Sequence, residues 1–253
     1  MQILRLRAAT RAKSGRGRTC RIELSNLNGD VRITAADTSE VKIDAVKHSS
    51  DADRVRDTRI VVDARPDAII IETKTDRTSW FGNNGPASVD YTIQVPRTAR
   101  LDKIGLVNGS VAITGVTGGV RASSVNGSVT AENVGGNLEL KTVNSSARAS
   151  VATLGNTISL KSVNGPVSLT IPSDSKADIT AKSVNGSIEN DFGLYVKKGP
   201  YVGRKLSGRL ASGGTEISLK TVNGSINIRH ANDGRPLSKA TDLIERSGEK
   251  EPL

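Results

Sequence analysis

Between residues 101 and 230 apolar and polar positions alternate in short runs, and the runs recur in register. LKTVNSSARA, LKSVNGPVSL, AKSVNGSIEN and LKTVNGSINI align on one asparagine. Four positions before it stands Leu140, Leu160, Ala181 or Leu219, and two before it Thr142, Ser162, Ser183 or Thr221. Three after it, all copies but one carry Val111, Val129, Val167, Ile188 or Ile226. Side chains on a strand alternate between faces, so the Leu/Ala, Ser/Thr and Asn columns share one face, which we assign to the interior. The anchoring residues are Asn108, Asn126, Asn144, Asn164, Asn185 and Asn223, at intervals of 18, 18, 20, 21 and 38 residues. A period of about 20 residues predicts a solenoid whose rungs bury their apolar faces against one another. The last interval marks a degenerate rung or an insertion.

The asparagine column has a physical reason within such a stack. Identical amides about 4.8 Å apart can hydrogen-bond along the column. The glycine that usually follows is expected to turn the chain with positive φ, and Ser145 replaces it once. Isolated Asn-Gly hairpins are the simpler alternative, but they do not require the flanking columns to recur.

Before the repeats, CRIEL, DVRIT, EVKIDAV, RIVVDA, AIIIET and SVDYTIQV read as strands bounded by turn signals such as Asn28-Gly29, Pro66 and Asn84-Gly85. NLNGDVRI (26–33) matches the later phrase and is a candidate first rung. RTSWFGNNGPAS (77–88) carries Trp80 beside Phe81, a pair suited either to capping an open end of the core or to anchoring a partner. Residues 190–214 break the period. They combine Phe192, Tyr195 and Tyr201 with Lys197, Lys198, Arg204, Lys205 and Arg209, which suits single-stranded nucleic acid or sugar-phosphate, or else a glycine-rich flexible excursion. The tail from Ala231 is polar, with one short helix expected around LSKATDLIERS.

These readings predict an all-β protein: a parallel β-solenoid of about 20-residue rungs with an irregular N-terminal β portion. The expected division is a basic, disordered arm (1–20), a solenoid domain (21–230, repeats clearest in 101–230) and a polar tail (231–253).

Composition sharpens the picture in two places. Aromatic residues are 2% of the chain, so Val, Ile, Leu and Ala must fill the interior, as suits a narrow coil. The formal net charge is +10, and seven basic residues lie in the acid-free stretch 1–22. A basic arm can dock on nucleic acid or anionic lipid; a disordered leader or a misplaced start is the plainer account. No stretch is long enough to span a membrane, which takes about 20 apolar residues. MQILRLRAATRA also lacks the apolar core of a secretory signal. Taken literally the chain is cytoplasmic; a start mis-assigned would place it in the envelope or periplasm. Cys20 alone forms no internal disulfide.

The outward columns are where binding chemistry could reside. Lys141, Lys161, Lys182 and Lys220 share the slot three before the asparagine, a ladder of cations that matches an extended polyanion or simply keeps an exposed sheet soluble. Val107, Val125, Val143, Val163, Val184 and Val222 fall outward or at the corner, where an exposed row would call for a packing partner. Catalytic phrases are missing. His48 and His230 stand in no recognisable motif, Cys20 has no nearby activating histidine, and Asp174 and Asp178 read as turn formers. No cofactor or metal is expected.

With these columns in view, the chain resembles the bacterial putative-adhesin family, a domain of unknown function built of β-strand repeats. The resemblance rests on VDYTIQVP (89–96) leading into LVNGSVAITGVTGGVRASSVNGSVTAENV, then VSLTIPSDSKADITAKSVNGSIENDFG and GGTEISLKTVNGSINI. With NLNGDVRI it covers roughly residues 20–230. It implies a parallel β-solenoid and a non-catalytic role, often in the cell envelope, and carries over no site residues. The expected function is a structural or adhesive module of the envelope, binding an anionic polymer along the lysines. A self-assembling intracellular scaffold is the alternative, with nucleic acid a lesser partner and a polysaccharide-active β-helix enzyme a third reading.

Overall fold

The structure is a computed structural model that describes residues 2–11, 20–65, 67–75 and 87–244. The Trp80–Phe81 pair of the 77–88 loop lies outside the described residues. The N-terminal portion holds β1 (Gln2–Arg11), β2 (Arg21–Asn28), β3 (Val31–Ala36), β4 (Glu40–Ser49), α1 (Ala52–Asp57), β5 (Thr58–Ala64), β6 (Ala68–Thr75) and β7 (Ser88–Pro96). The repeats form β8 (Arg100–Asn108), β9 (Val111–Thr114), β10 (Val120–Ser124), β11 (Val129–Thr142), β12 (Ala147–Lys161), β13 (Val167–Ile171), β14 (Ala177–Asn185) and β15 (Ile188–Asn190). After these come β16 (Val196–Lys198), β17 (Arg204–Leu210), β18 (Thr215–Asn223), β19 (Ile226–His230) and β20 (Ala240–Asp242).

Two parallel walls make the body. One runs β6–β2–β8–β10–β11–β12–β18–β14, in which every strand after β6 precedes an asparagine of the column. The other runs β7–β3–β9–β11–β12–β13–β19–β15, from the strands that follow it. The long strands β11 and β12 serve both. Antiparallel strands finish the ends: β5 on β6, with β4 and β1 beside β7, and at the far end β17 on β14 with β16 and β20 beyond it. The β-solenoid expectation is therefore met, with antiparallel strands added at both ends.

Gln2–Arg11, read above as part of a disordered arm, pairs along β4 as β1. In the sequence Leu4, Leu6 and Ala8 alternate with Arg5 and Arg7, a strand-like period of two, and the backbone pairs along the edge of β4 that β7 leaves open. The helix expected in the tail is likewise replaced, since Ala240–Asp242 pairs as β20 with β17. The helix observed, α1, starts where the Asp51 side chain accepts from the Asp53 amide, a local cap the strand pattern hid.

The 38-residue interval holds an insertion. After β15 the chain leaves through the β16–β17 hairpin, then returns to lay β18 between β12 and β14, and β19 between β13 and β15. The last repeat in sequence is thus the second to last in space. Phe192 and Leu194, on the excursion, are buried over the end of the core, and Asn190 clamps the turn by donating to Leu194 O and accepting from its amide.

The interior is aliphatic, as the composition required. Leu140, Leu160, Leu219 and Ala181 are fully buried, as are Val129, Val167 and Ile226 from the column after the asparagine. The one tyrosine in the core, Tyr91, satisfies its hydroxyl on Thr73 at 2.8 Å, and burial pushes its pKa up.

The corner differs from the pattern in two respects. The Ser/Thr column is buried, but the asparagines are exposed. The chain begins to turn at the asparagine, which swings its amide out of the interior and along the outer edge of the stack. There each Nδ2 donates to the Oδ1 before it, through Asn28, Asn108, Asn126, Asn144, Asn164, Asn223 and Asn185, at 2.7–3.0 Å. Asn28 thereby joins β2 to the repeats as the first rung. The glycines also serve another purpose than a positive φ, which Gly29 alone adopts among those of the Asn-Gly corners. A Cβ on Gly127 would lie 1.9 Å from Gly109 O. Glycine is needed because the backbones of successive turns touch.

Gly127→Ala should therefore cost about 3 kcal/mol, an overpacking penalty, and lower the melting temperature by about 6–12 °C. Thermal unfolding followed by circular dichroism measures it; an unchanged transition would mean the corner widens freely.

Candidate anion-binding surface

The four lysines picked out by the repeat do fall on one wall, and in one row. Strand register sets Lys141 beside Lys161, Lys161 beside Lys220, and Lys220 beside Lys182. Their inward neighbours Leu140, Leu160, Leu219 and Ala181 are in the core, so alternation turns the lysines to solvent. The order differs from the order in sequence because β18 is inserted out of turn.

Two more lysines extend the row, and the repeat could not reveal them. Antiparallel pairing of β17 with β14 places Lys205 beside Lys182, and pairing of β16 with β17 places Lys197 beside Lys205. Six lysines now lie on six adjacent strands, a span of about 24 Å at the usual strand spacing. The only sequence signal for the last two was the density of basic residues in the excursion. At the other end the row passes into neutral residues, with Ser123 beside Lys141.

The row is not uniform. Glu139, two residues before Lys141 on the same face, forms an ion pair with Lys141 and another with Arg121 at 2.8 Å. Those partners, Lys141 first, hold its carboxyl below the usual glutamate range. Among the described residues no carboxylate lies within ion-pair distance of Lys161, Lys220, Lys182, Lys205 or Lys197. Beside the lysines, two positions on along each strand, runs the valine row. Val107, Val125, Val143, Val163, Val222 and Val184 are 37–47% exposed, so the row faces outward at the corner.

Other groups that sequence reading raised are engaged locally. A hollow of about 600 Å³ lower on the same wall is lined by Arg100, Asp102, Arg121 and Glu139. Each of its carboxylates is met by an arginine, at 3.0 Å for Asp102–Arg100. Asp178 binds Arg209 at 2.6 Å and accepts from the Gly214 amide, and Asp174 binds Arg235 at 3.0 Å. His48 meets Asp90 at 2.6 Å, while His230 Nδ1 lies 3.0 Å from the buried Ser173 hydroxyl. Desolvation, with Asp67 nearby, pushes the Cys20 thiol up, which keeps it protonated and a poor nucleophile. Among the described residues no helix is long and apolar enough to cross a membrane, and no cluster of three or more His, Cys, Asp or Glu could hold a metal ion.

This architecture defines a β-strand repeat domain of the parallel-solenoid class. Residues 107–229 match the Toastrack DUF4097 family model, that of a domain of unknown function. Among solved structures it is similar to a "putative cell adhesion protein" from Clostridium sporogenes, at 12% identity over 90% of this chain and 100% of that one, with a TM-score of 0.51. A "putative adhesin" from Bacteroides fragilis aligns at 12% identity over 90% of this chain and 97% of that one, with a TM-score of 0.35. A "putative lipid binding protein" from Parabacteroides distasonis aligns at 12% identity over 88% and 96%, with a TM-score of 0.34. The first of these likenesses supports the fold. No curated protein matches the chain.

Glu139 offers a direct probe of the row. Its folded-state pKa is depressed, so its ion pairs contribute at neutral pH and are lost as pH falls through that depressed value. Glu139→Gln should cost under about 1 kcal/mol of stability, because the pairs are partly exposed. It should tighten polyphosphate binding about two- to fivefold at low salt by releasing Lys141 and Arg121. Fluorescence anisotropy with labelled polyphosphate measures the second effect, and no tightening would mean those cations do not reach the ligand.

Proposed function

We propose that this protein is a non-catalytic binding module of the bacterial cell envelope that holds an anionic polymer along its lysine row. The observation that carries the reading is the six-lysine register across β11, β12, β18, β14, β17 and β16. Like charges directly opposite on neighbouring strands repel, so the folded wall bears an electrostatic cost at every step of the row. A chain of phosphates or carboxylates laid across the strands relieves that cost and releases its own condensed counterions. Strand register fixes the spacing of the lysine backbones before the ligand arrives, so the ordering required on binding is confined to the lysine side chains.

The chemistry required is a repeating anion rather than a base or sugar identity. No enclosed pocket is needed, and the engaged carboxylates on the same wall supply no acid–base pair. A polysaccharide-active enzyme would want two carboxyl groups facing one bond, whereas Asp102 and Glu139 each face an arginine.

The test uses labelled linear polyphosphate and the variant Lys161→Ala/Lys182→Ala/Lys220→Ala. The affinity of the full chain should fall steeply with salt. Removing three phosphate contacts should lower the slope of log affinity against log salt by about 2–3 and weaken binding at least about tenfold at low salt. The variant should retain its circular dichroism spectrum, since the three side chains face solvent. Unchanged affinity and slope would remove the lysine row from the function.

A further inference from the structure

The hairpin that completes the lysine row ends in a tip the polymer reading does not use. Between β16 and β17 the chain turns through Gly199, Pro200, Tyr201, Val202 and Gly203, closed by Gly199 N donating to Gly203 O at 2.8 Å. Gly203 supplies the positive φ, +89°, that the turn requires. Tyr201 is 95% exposed and Val202 68%, the two most exposed large apolar side chains among the described residues. Their position is built rather than slack. β17 packs Leu206 and Leu210 into the core, and Asp242 on the β20 side accepts from the Tyr195 amide at 2.7 Å.

Charge surrounds this tip in a defined way. The two strands beside it pair Lys197 with Lys205 and Lys198 with Arg204, and no acidic residue occurs between Asp191 and Glu216. The tip also continues an apolar line. Arg204 lies opposite Ser183, so the turn residues 199–203 reach past the level of Val184, the most exposed member of the valine row. The wall therefore presents two parallel strips. One is cationic, and the other runs from Val107 through Val184 and ends in Val202 and Tyr201.

We propose that this double strip seats the protein on an anionic lipid bilayer, with Tyr201 and Val202 entering the boundary between headgroups and acyl chains. The inference rests on the reading of the lysine row as an anion-binding surface and names the surface it meets. A soluble polymer would neutralise the lysines but leave Tyr201, Val202 and the valines in water. A bilayer interface takes both strips at once. Its phosphates lie at the level of the cations, and tyrosine rings favour the depth just below, with the hydroxyl among the headgroups. The attachment is peripheral: the apolar tip is two residues deep, and affinity comes from it together with the charge.

The experiment is co-sedimentation of the full chain with vesicles of phosphatidylcholine containing about a third phosphatidylglycerol, against vesicles of phosphatidylcholine alone. Two variants are compared, Tyr201→Ser/Val202→Ser and Lys161→Ala/Lys182→Ala/Lys220→Ala, each also assayed with labelled polyphosphate. The natural chain should bind the anionic vesicles and not the neutral ones. The tip variant should lose about tenfold in vesicle affinity, as expected for losing a valine-sized apolar contact and part of a ring, while binding polyphosphate as before. The lysine variant should weaken on both. A tip variant that binds vesicles like the natural chain overturns the proposal, as does a natural chain that binds polyphosphate but no vesicle. Either result leaves the polymer reading standing. A lysine variant unchanged on both ligands ends the two together. Sedimentation velocity without lipid covers the remaining occupant: self-association abolished by the tip substitutions would make the strip a contact between copies and overturn bilayer docking.

Discussion

Everything regular in this molecule depends on how closely the backbones of successive corner turns approach. At Gly127 the neighbouring turn's carbonyl oxygen stands where a Cβ would be, and the same holds at Gly109, Gly165, Gly186 and Gly224. That contact fixes the rise from rung to rung at the corner and forbids slippage of one strand against the next. It also leaves each turn's carbonyl pointing into the stack, where burial without a donor would be costly. The Ser/Thr column supplies the donor. Ser124 reaches Gly109 O at 2.7 Å, Thr142 reaches Gly127 O at 2.8 Å, Ser162 reaches Ser145 O at 2.8 Å, and Thr221 reaches Gly165 O at 2.9 Å. In the first rung Asn26 does the same for Gly29 O through its amide. Small residues at the turn and hydroxyls two before the asparagine are thus one device, each explaining the other.

Register follows from that device, and function as we read it follows from register. A one-residue slip would exchange the faces of every side chain on a strand. With slippage excluded, the lysines three before Asn144, Asn164, Asn185 and Asn223 and the valine one before each repeat asparagine become straight, adjacent rows on the solvent side. A slightly irregular stack would scatter these side chains over a surface. The asparagine amides, bonded in line along the outer edge, reinforce the alignment. Because they are exposed, each such bond contributes less than the buried hydroxyl–carbonyl contacts inside.

The insertion after β15 determines the reach of the rows. By returning β18 to the slot between β12 and β14, the chain places Lys220 in the middle of the line and frees β14's outer edge for the β17 hairpin. That hairpin contributes Lys205 and Lys197, covers the end of the core with Leu206 and Leu210, and carries Tyr201 and Val202 outward. One excursion therefore serves as cap, charge extension and apolar tip. The few carboxylates on the wall confine rather than abolish the positive field, since Glu139 engages Lys141 at the end of the row opposite the hairpin.

Much of this was legible in the chain itself. Period, strand alternation and the aliphatic composition are local or periodic properties, and they determined the solenoid, the buried Leu and Val columns, the outward lysines and the first rung at Asn28. Several matters were decided only by the folded chain. Strand order is set by which free edge the returning segment can reach, so the sequence could not show β18 inside the stack or bring Lys205 and Lys197 to Lys182. The direction of the asparagine amides and the true reason for the glycines depend on backbone distances between rungs, which no single repeat contains. The strand at Gln2–Arg11 needed β4's open edge to pair with. Periodicity specifies what each rung is made of, whereas adjacency between distant segments is a property of three-dimensional closure alone.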